Sequence, residues 1–254
     1  MSSNTYDNKP KINNSEILFI YEAKLCNPNG DPDDENKPRI DPKTRVNLVS
    51  DVRLKRFFRN YIIANYGEDK IWVSTVNGSH TDAGGRLDAL LEKSNKKKDD
   101  SNILNVVLGN CIDARLFGAT IPIRGKDKER GESHSIIGPV QFTWGFSLHP
   151  VELVDSPTIT SMFKGRETEA EAGTIGKDWR LYYSLIAFYG VVSGMRAKNS
   201  MLSVDDVKLL DNMLWESVVM DATTRSKIGH IPHLYLRIEY NDNNRNYLLG
   251  DLRR

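Results

Sequence analysis

Residues 16–26 read E-I-L-F-I-Y-E-A-K-L-C, with Ile17, Phe19 and Tyr21 on one face and Leu18 and Ile20 on the other, the pattern of a strand buried on both sides. After this run, residues 27–42, N-P-N-G-D-P-D-D-E-N-K-P-R-I-D-P, carry four prolines, an Asn-Gly pair and no apolar period, so they predict a long loop. A loop of that length in a compact domain tends to be functional or mobile. Ser50 and Asp51 then offer capping side chains to a helix in which Leu54, Phe57, Phe58, Tyr61 and Ile62 form a single buried stripe. At 100° per residue, Arg53, Lys55, Arg56 and Arg59 fall on the arc away from that stripe, which predicts one apolar and one basic face.

Further along, residues 70–100 lack a clear period and read as an inserted, partly flexible subregion whose Lys96, Lys97 and Lys98 belong to a solvated loop. Residues 102–117 have near-helical apolar spacing before Phe117 and Gly118, predicting a second helix beside the first. Residues 136–154 alternate as one half-buried strand, 155–178 read as a protruding hairpin or loop, and 180–195 as a central strand. Ser203 and Asp206 form a capping-box pattern before a helix ending near Ala222, and H-L-Y-L-R-I-E-Y closes the series as a strand with one wet face. The order β, α, β, β, α, β defines an α+β fold, a ferredoxin-like or RRM-like antiparallel sheet with helices on one face.

The whole-chain numbers agree with a folded, ordinary protein. The 254 residues carry 35 Lys plus Arg against 34 Asp plus Glu, 39% hydrophobic and 27% charged residues, which excludes wholesale disorder. A chain of this length buries roughly 70 to 75% of its unfolded surface, and one core with insertions is expected. No apolar run approaches the roughly 18 residues of a membrane span, and the polar start lacks signal-peptide regions, so a cytoplasmic protein with no membrane partner is expected. Cys26 and Cys111, far apart, fit a reducing compartment and two buried small side chains.

Common chemistries find little support. H-E-x-x-H, G-x-S-x-G and G-x-x-x-x-G-K-[ST] are absent, and His230 and His233 flank Pro232 without a third ligand, so no metal and no cofactor are assigned. The RNP1 pattern of base-stacking sheets is not matched either; its nearest stretch, A-F-Y-G-V-V-S-G at 187–194, lacks the leading cation and glycine. The strongest charge signal is 43–59, where Lys43, Arg45, Arg53, Lys55, Arg56 and Arg59 stand against one carboxylate, Asp51. Such a stripe suits nucleic-acid phosphates or an ordinary solvated helix face, and spacing alone leaves both open. For the acidic loop of Asp31, Asp33, Asp34, Glu35 and Asp41 the solvated reading is preferred over a cation site or general base, because no calcium-loop spacing is present.

Seven segments carry a resemblance. N-P-N-G-D-P-D at 27–33, P-R-I-D at 38–41, V-S-D-V-R-L-K-R-F-F-R-N-Y at 49–61, A-R-L-F-G at 114–118, G-P-V-Q-F-T-W-G-F-S-L at 138–148, D-W-R-L-Y-Y-S-L-I-A-F-Y-G-V-V at 178–192 and T-R-S-K at 224–227 occur in order along nearly the whole chain. Together they resemble the CRISPR RNA-binding backbone subunit of type I Cascade complexes, within it the subtype I-B form called the Csh-two type. The resemblance implies a right-hand shape in one RRM-like domain: a palm, fingers from about 66–101 and 119–135, and a thumb from about 155–178. It implies guide-RNA phosphate contacts at Lys43, Arg45, Arg53, Lys55, Arg56 and Arg59, further RNA contacts at Arg225 and Lys227, and a thumb wedge at Met162 and Phe163 that turns a guide base outward.

The implied partners are CRISPR guide RNA, target DNA, head-to-tail copies of the chain, and the end-capping, large and small subunits of the complex. The implied role is a non-catalytic scaffold. Backbone subunits of type III effectors resemble the same fold and cleave target RNA with an aspartate after the first strand, for which Asp31, Asp33 or Asp41 would stand here; the whole-chain motifs favour the type I form. A third reading is a free-standing RNA-binding module, which predicts monomers on short RNA. Members of the family usually run on past the point where G-D-L-R-R closes this sequence, so a final strand or helix is expected to be lacking.

Overall fold

The computed structural model describes residues 11–76, 78–96, 100–123, 132–155, 157–161, 174–241, 249, 251 and 253. The chain begins with β1 (Ser15–Cys26), a small hairpin of β2 (Gly30–Asp31) and β3 (Lys37–Pro38), β4 (Val46–Val49) and α1 (Asp51–Tyr66). A 3-10 turn at Glu68–Lys70 leads to α2 (Ala83–Lys93), α3 (Asp100–Asn110) and α4 (Ile112–Phe117). Next come β5 (Gly118–Ile123), β6 (Glu132–Ile137), β7 (Val140–Phe142), β8 (Gly145–Pro150), β9 (Thr158–Ser161), β10 (Thr174–Lys177) and β11 (Leu181–Val192). The series ends with α5 (Gly194–Asn199), α6 (Val204–Asp221) and β12 (His230–Glu239).

The main sheet has the order β12-β1-β11-β8-β4, with β7 also on β11, and every pairing in it is antiparallel. The expected α+β architecture is therefore present, with β1 in the interior as its doubly apolar sequence requires. Ile17, Phe19 and Tyr21 face a core completed by Leu54, Phe57, Phe58 and Ile62 of α1 and by Leu210, Leu214 and Val218 of α6. At roughly 25 cal/mol per Å2 of apolar area removed from water, these large side chains supply most of the sheet's stabilisation.

Local chemistry starts the helices where it was expected to. The Ser50 side chain accepts from Arg53 N at 3.2 Å and begins α1. Ser203 and Asp206 close a full capping box on α6, and Asp206 also accepts two hydrogen bonds from Arg115 of α4, at 2.8 and 2.7 Å.

Several expectations are corrected. The single helix over 102–117 is two helices, because Cys111 is extended between them; the break turns α3 toward one cluster and Ile112, Leu116 and Phe117 of α4 toward the main core. The stretch 70–100 is not periodless loop: Asp82 caps α2 through Gly85 N at 2.7 Å. Gly84 and Gly85 in its first turn lower helix propensity enough to hide it. With α3 and β5, α2 encloses a second cluster that includes Trp72, Leu87, Leu90, Leu91, Ile103 and Val107.

The strand expected over 136–154 is three pieces, the end of β6, β7 and β8. Thr143 N turns to Tyr189 O at 2.9 Å, and the next residue but one must be glycine, since a Cβ on Gly145 would meet the Phe188 ring at 2.5 Å. Residues 27–42 contain the β2–β3 hairpin, and β4 follows them before α1. Within 155–178, β9 and β10 pair as a separate antiparallel ribbon.

On β12 the dry and wet faces are reversed. Leu234 and Leu236 lie opposite Ile20 and Leu18 on the sheet face away from the helices and are 41% and 42% exposed. The helix side holds Tyr235 and Arg237, both bonded to Asp211 of α6, so a polar tie takes the place of aliphatic packing. The end of the chain returns to the open face, where Leu249 N, Tyr189 OH and Tyr240 OH all donate to the buried Glu16 carboxylate. No helix among the described residues is long and apolar enough to cross a membrane.

Candidate nucleic-acid interface

Three segments distant in sequence meet at the N-terminus of α1. Asn27 N donates to Ser226 O and Lys24 N to Gly229 O, both at 3.0 Å, which fixes the T-R-S-K turn against the end of β1. Gly229 has φ +114, and a Cβ there would lie 2.2 Å from Lys24 O, so only glycine permits the approach. Lys227 Nζ donates to the Asn27 and Pro28 carbonyls. Asn29 Oδ1 accepts from Ser50 N at 2.9 Å and Ser50 Oγ at 3.0 Å, joining the loop to the helix cap.

The predicted cations sit at graded depths and do not all meet at this junction, Lys43 and Arg45 lying in the turn before β4. Lys43 and Arg45 are exposed; Arg45 has φ +61, and its guanidinium lies 3.4 Å from Val151 O. Arg53 bonds Asp221 and lies over the Phe57 ring at 4.2 Å. Lys55 pairs with Asp51 at 2.9 Å. Arg56 is half-buried, and burial together with neighbouring Arg59 and Arg53 lowers its pKa. Arg225 is largely exposed, 3.5 Å from Asp178.

Arg59 corrects the picture of a wholly basic outer arc. It is buried, with Nε 2.8 Å from Asp113 Oδ2, because α4 packs over this side of α1. Asp113 also accepts from Trp72 N and Val73 N, so the pair ties α1 to the segment entering the second cluster. Met162 and Phe163 lie outside the described residues.

Beneath the junction, burial and the charges of Lys227 and Arg53 push His230 down to about 3, so it is neutral in the physiological range. Lys227 itself is pulled down to about 8, first by burial and then by Arg53. Both cysteines are buried, and desolvation raises their thiols to about 11 for Cys26 and about 12 for Cys111.

Asp31 and Asp41 of the acidic loop serve the loop, whereas Glu35 pairs with Lys177 of β10 at 2.6 Å. Asp31 Oδ1 accepts from Asp33 N at 3.2 Å and the Arg39 guanidinium at 3.4 Å. Asp41 Oδ1 accepts from Lys43 N at 2.8 Å, which with Thr44 holds its carboxyl below the usual range. Among the described residues no group of three or more His, Cys, Asp or Glu could hold a metal ion.

Cations that spacing alone did not select also gather nearby. Arg180 pairs with Asp178, Lys24 stands beside it in one cavity, and Arg39 lies over the Trp144 ring at 5.7 Å. Charge in a strand or hairpin has no helical phase, so nothing in the spacing marks it. What could have found Arg39 and Arg180 is their place inside P-R-I-D and D-W-R-L-Y-Y.

An antiparallel split β-α-β sheet with helices on one face, a ribbon beside it and cations at the first helix defines a ferredoxin-like protein with an electropositive junction. The chain belongs to the family of CRISPR-associated protein Cas7, whose family model matches residues 13–252. A CRISPR-associated protein Cas7 from Haloferax volcanii is 34% identical over 254 residues, covering 95% of this chain and 74% of the relative. Among solved structures, a chain of a "CRISPR RNA-guided surveillance complex, pre-nicking" has TM-score 0.51 at 13% identity over 87% of this chain and 77% of its own. A chain of a "Type III-B Cmr-beta bound to cognate target RNA" has TM-score 0.48 at 12% identity over 89% and 61%.

Proposed function

We propose that this chain binds CRISPR guide RNA along its sugar-phosphate backbone and stacks head to tail as the backbone of a type I Cascade-like effector that pairs the guide with target DNA. The observation that carries the reading is the junction at α1, where three segments joined by hydrogen bonds hold Arg53, Arg56, Arg225 and Lys227 about one helix start, with Lys55 on the same helix; Lys43 and Arg45 stand apart from it in the turn before β4. Arg59 acts there indirectly, through Asp113. Cations on a rigid frame bind phosphates without reading bases, which a subunit serving any guide sequence requires. On this reading the second-cluster region (about 66–101 with 119–135) is the fingers, and 155–178, with Met162 and Phe163, the thumb. End-capping, large and small subunits complete the complex.

The scaffold is non-catalytic on this reading. Of Asp31, Asp33 and Asp41, the aspartates a target-RNA nuclease would use, Asp31 and Asp41 are engaged in holding their own loop, and the wild-type assembly, like its Asp31→Asn, Asp33→Asn and Asp41→Asn variants, should leave target RNA uncut with guide recovery unchanged. Cleavage of target RNA by the wild-type assembly that is lost in any of these variants, with guide binding intact, would replace this reading with the type III one.

The direct test is co-expression with neighbouring subunits and a CRISPR array, followed by sequencing and nuclease footprinting of the bound RNA. A uniform guide protected at a regular period is the expected result; heterogeneous RNA or none overturns it. In the same preparation, Lys43→Gln with Arg45→Gln should flatten the salt dependence of RNA affinity by about 0.7 in log–log slope for each phosphate contact removed.

A further inference from the structure

Among the described residues β12 ends the main sheet, with no strand on its outer edge. The opposite end is covered, since Leu48 N donates to Arg39 O and Asp41 N to Val46 O alongside β4. The direction of the backbone groups on β12 follows from its last pair. Tyr240 N donates to Asn14 O at 2.9 Å, and the register with β1 is regular from Ser15–Glu239 to Ile20–Leu234. Hydrogen-bonded and non-hydrogen-bonded pairs alternate in an antiparallel ladder, so Leu234, Leu236 and Ile238 are tied to β1, while the N–H and C=O groups of Tyr235, Arg237 and Glu239 point away from it. Sheet edges are usually blunted by proline, lysine or a bulge. Here Pro232 and the bulge at His233 lie at the start of the strand and leave 234–239 unguarded.

The side chains narrow the occupant. Laid antiparallel on itself about Leu236, the segment H-L-Y-L-R-I-E at 233–239 sets Leu236 against its own copy, Leu234 against Ile238, Tyr235 against Arg237 and His233 against Glu239. Two kinds of pair are apolar, one puts a ring beside a guanidinium, one puts an imidazole beside a carboxylate, and no like charges oppose each other. Tyr235 and Arg237 are then the residues that exchange backbone hydrogen bonds, as their outward groups require. Within one chain His233 is held by Glu22 at 2.9 Å and Glu239 by Arg237 at 2.8 Å, yet each keeps nearly half of its side chain exposed.

We propose that a second copy of this chain pairs with β12 edge to edge, across a two-fold axis at Leu236, and joins the two main sheets into one. Such a contact closes at two copies, whereas head-to-tail stacking is open-ended, so this surface is separate from the stack. The proposal stands whether or not the chain binds guide RNA.

The test is sedimentation velocity of the purified chain, free of RNA, over a range of concentrations, and wild type should form a dimer. Leu236→Lys sets two ammonium groups against each other at the axis and should weaken that dimer about tenfold or more, whereas Leu148→Lys, at a residue 43% exposed on β8, should not. His233→Glu should weaken it by facing Glu239 of the second copy, and adding Glu239→Lys should restore it. Hydrogen exchange needs no variant: in wild type the 234–239 segment should gain protection as concentration rises. A wild-type monomer at every concentration, or exchange in 234–239 that dimer formation leaves unmoved, overturns the proposal. Self-association that Leu236→Lys leaves intact, that Leu148→Lys weakens equally, or that Glu239→Lys fails to restore in a folded double variant overturns it too and makes another surface the contact.

Discussion

Lys227 is held among carbonyl oxygens, next to Arg53, at a pKa of about 8, well under the value near 10.4 of a free lysine. Below pH 8 the side chain is charged in both folded and unfolded chains; between about 8 and 10 only the unfolded chain keeps the proton. Its burial thus weakens the fold at neutral pH, and that penalty fades as pH rises through this window. A phosphate brought beside it restores the proton. Guide binding at pH 8.5 should therefore take up protons, detectable by calorimetry in buffers of differing ionisation enthalpy, and Lys227→Met should abolish the buffer dependence. Equal enthalpies in all buffers for wild type would exclude a phosphate at this lysine.

Asp113 makes a second residue-scale case. Its carboxylate is buried and accepts from Arg59, Trp72 N and Val73 N. Asp113→Ala leaves a buried guanidinium and two backbone N–H groups unpaired and should cost about 3–5 kcal/mol, read by denaturant unfolding.

At the scale of elements, burial alone would raise the Asp206 carboxyl, but Arg115 and the Ser203 donors outweigh it and hold it below the usual range. A depressed folded pKa contributes stability above the unfolded value of about 3.9, and that contribution is lost as pH falls through the folded one. Asp206→Asn should lower stability at pH 7 and make the acid unfolding profile shallower. A variant that matches wild type at pH 7 and parallels it below pH 4 would refute the role of the pair.

Elements with strong local signals were legible before the structure: β1 from its doubly apolar run, α1 from its stripe, α6 from its capping box. Those decided by partners were not. In D-A-G-G-R-L-D-A-L-L the helical spacing of Leu87, Leu90 and Leu91 after the capping Asp82 is too short and too weakened by Gly84 and Gly85 to decide α2, until α3 and β5 cover those leucines. Leu234 and Leu236 alternate just as buried leucines do, and only the pairing with Leu18 and Ile20 shows that they face outward. At the junction, the stripe at 43–59 revealed the cations but not their depth, since α4 buries Arg59 from a position 54 residues away.

At the scale of the whole molecule, two clusters share one chain. The main core spans the sheet, α1 and α6, whereas the second is enclosed by α2, α3 and β5 and is joined to it through Asp113 and Arg115. Leu90→Ala should cost about 2–5 kcal/mol within the second cluster. Hydrogen exchange should show amides of α2 and α3 losing protection while β1 and β11 retain theirs; uniform loss across both would mean one cooperative unit.

The interior place of β1 also sets the order in which the protein can be completed on the ribosome. It leaves the exit tunnel long before either neighbour, since one begins at Leu181 and the other at His230. Through most of synthesis its two unsatisfied hydrogen-bonding edges and its apolar faces stay available to chaperones or to other nascent chains. Stalled chains ending before His230 should be cut within β1 by limited proteolysis, and resistance should appear only once β12 has emerged.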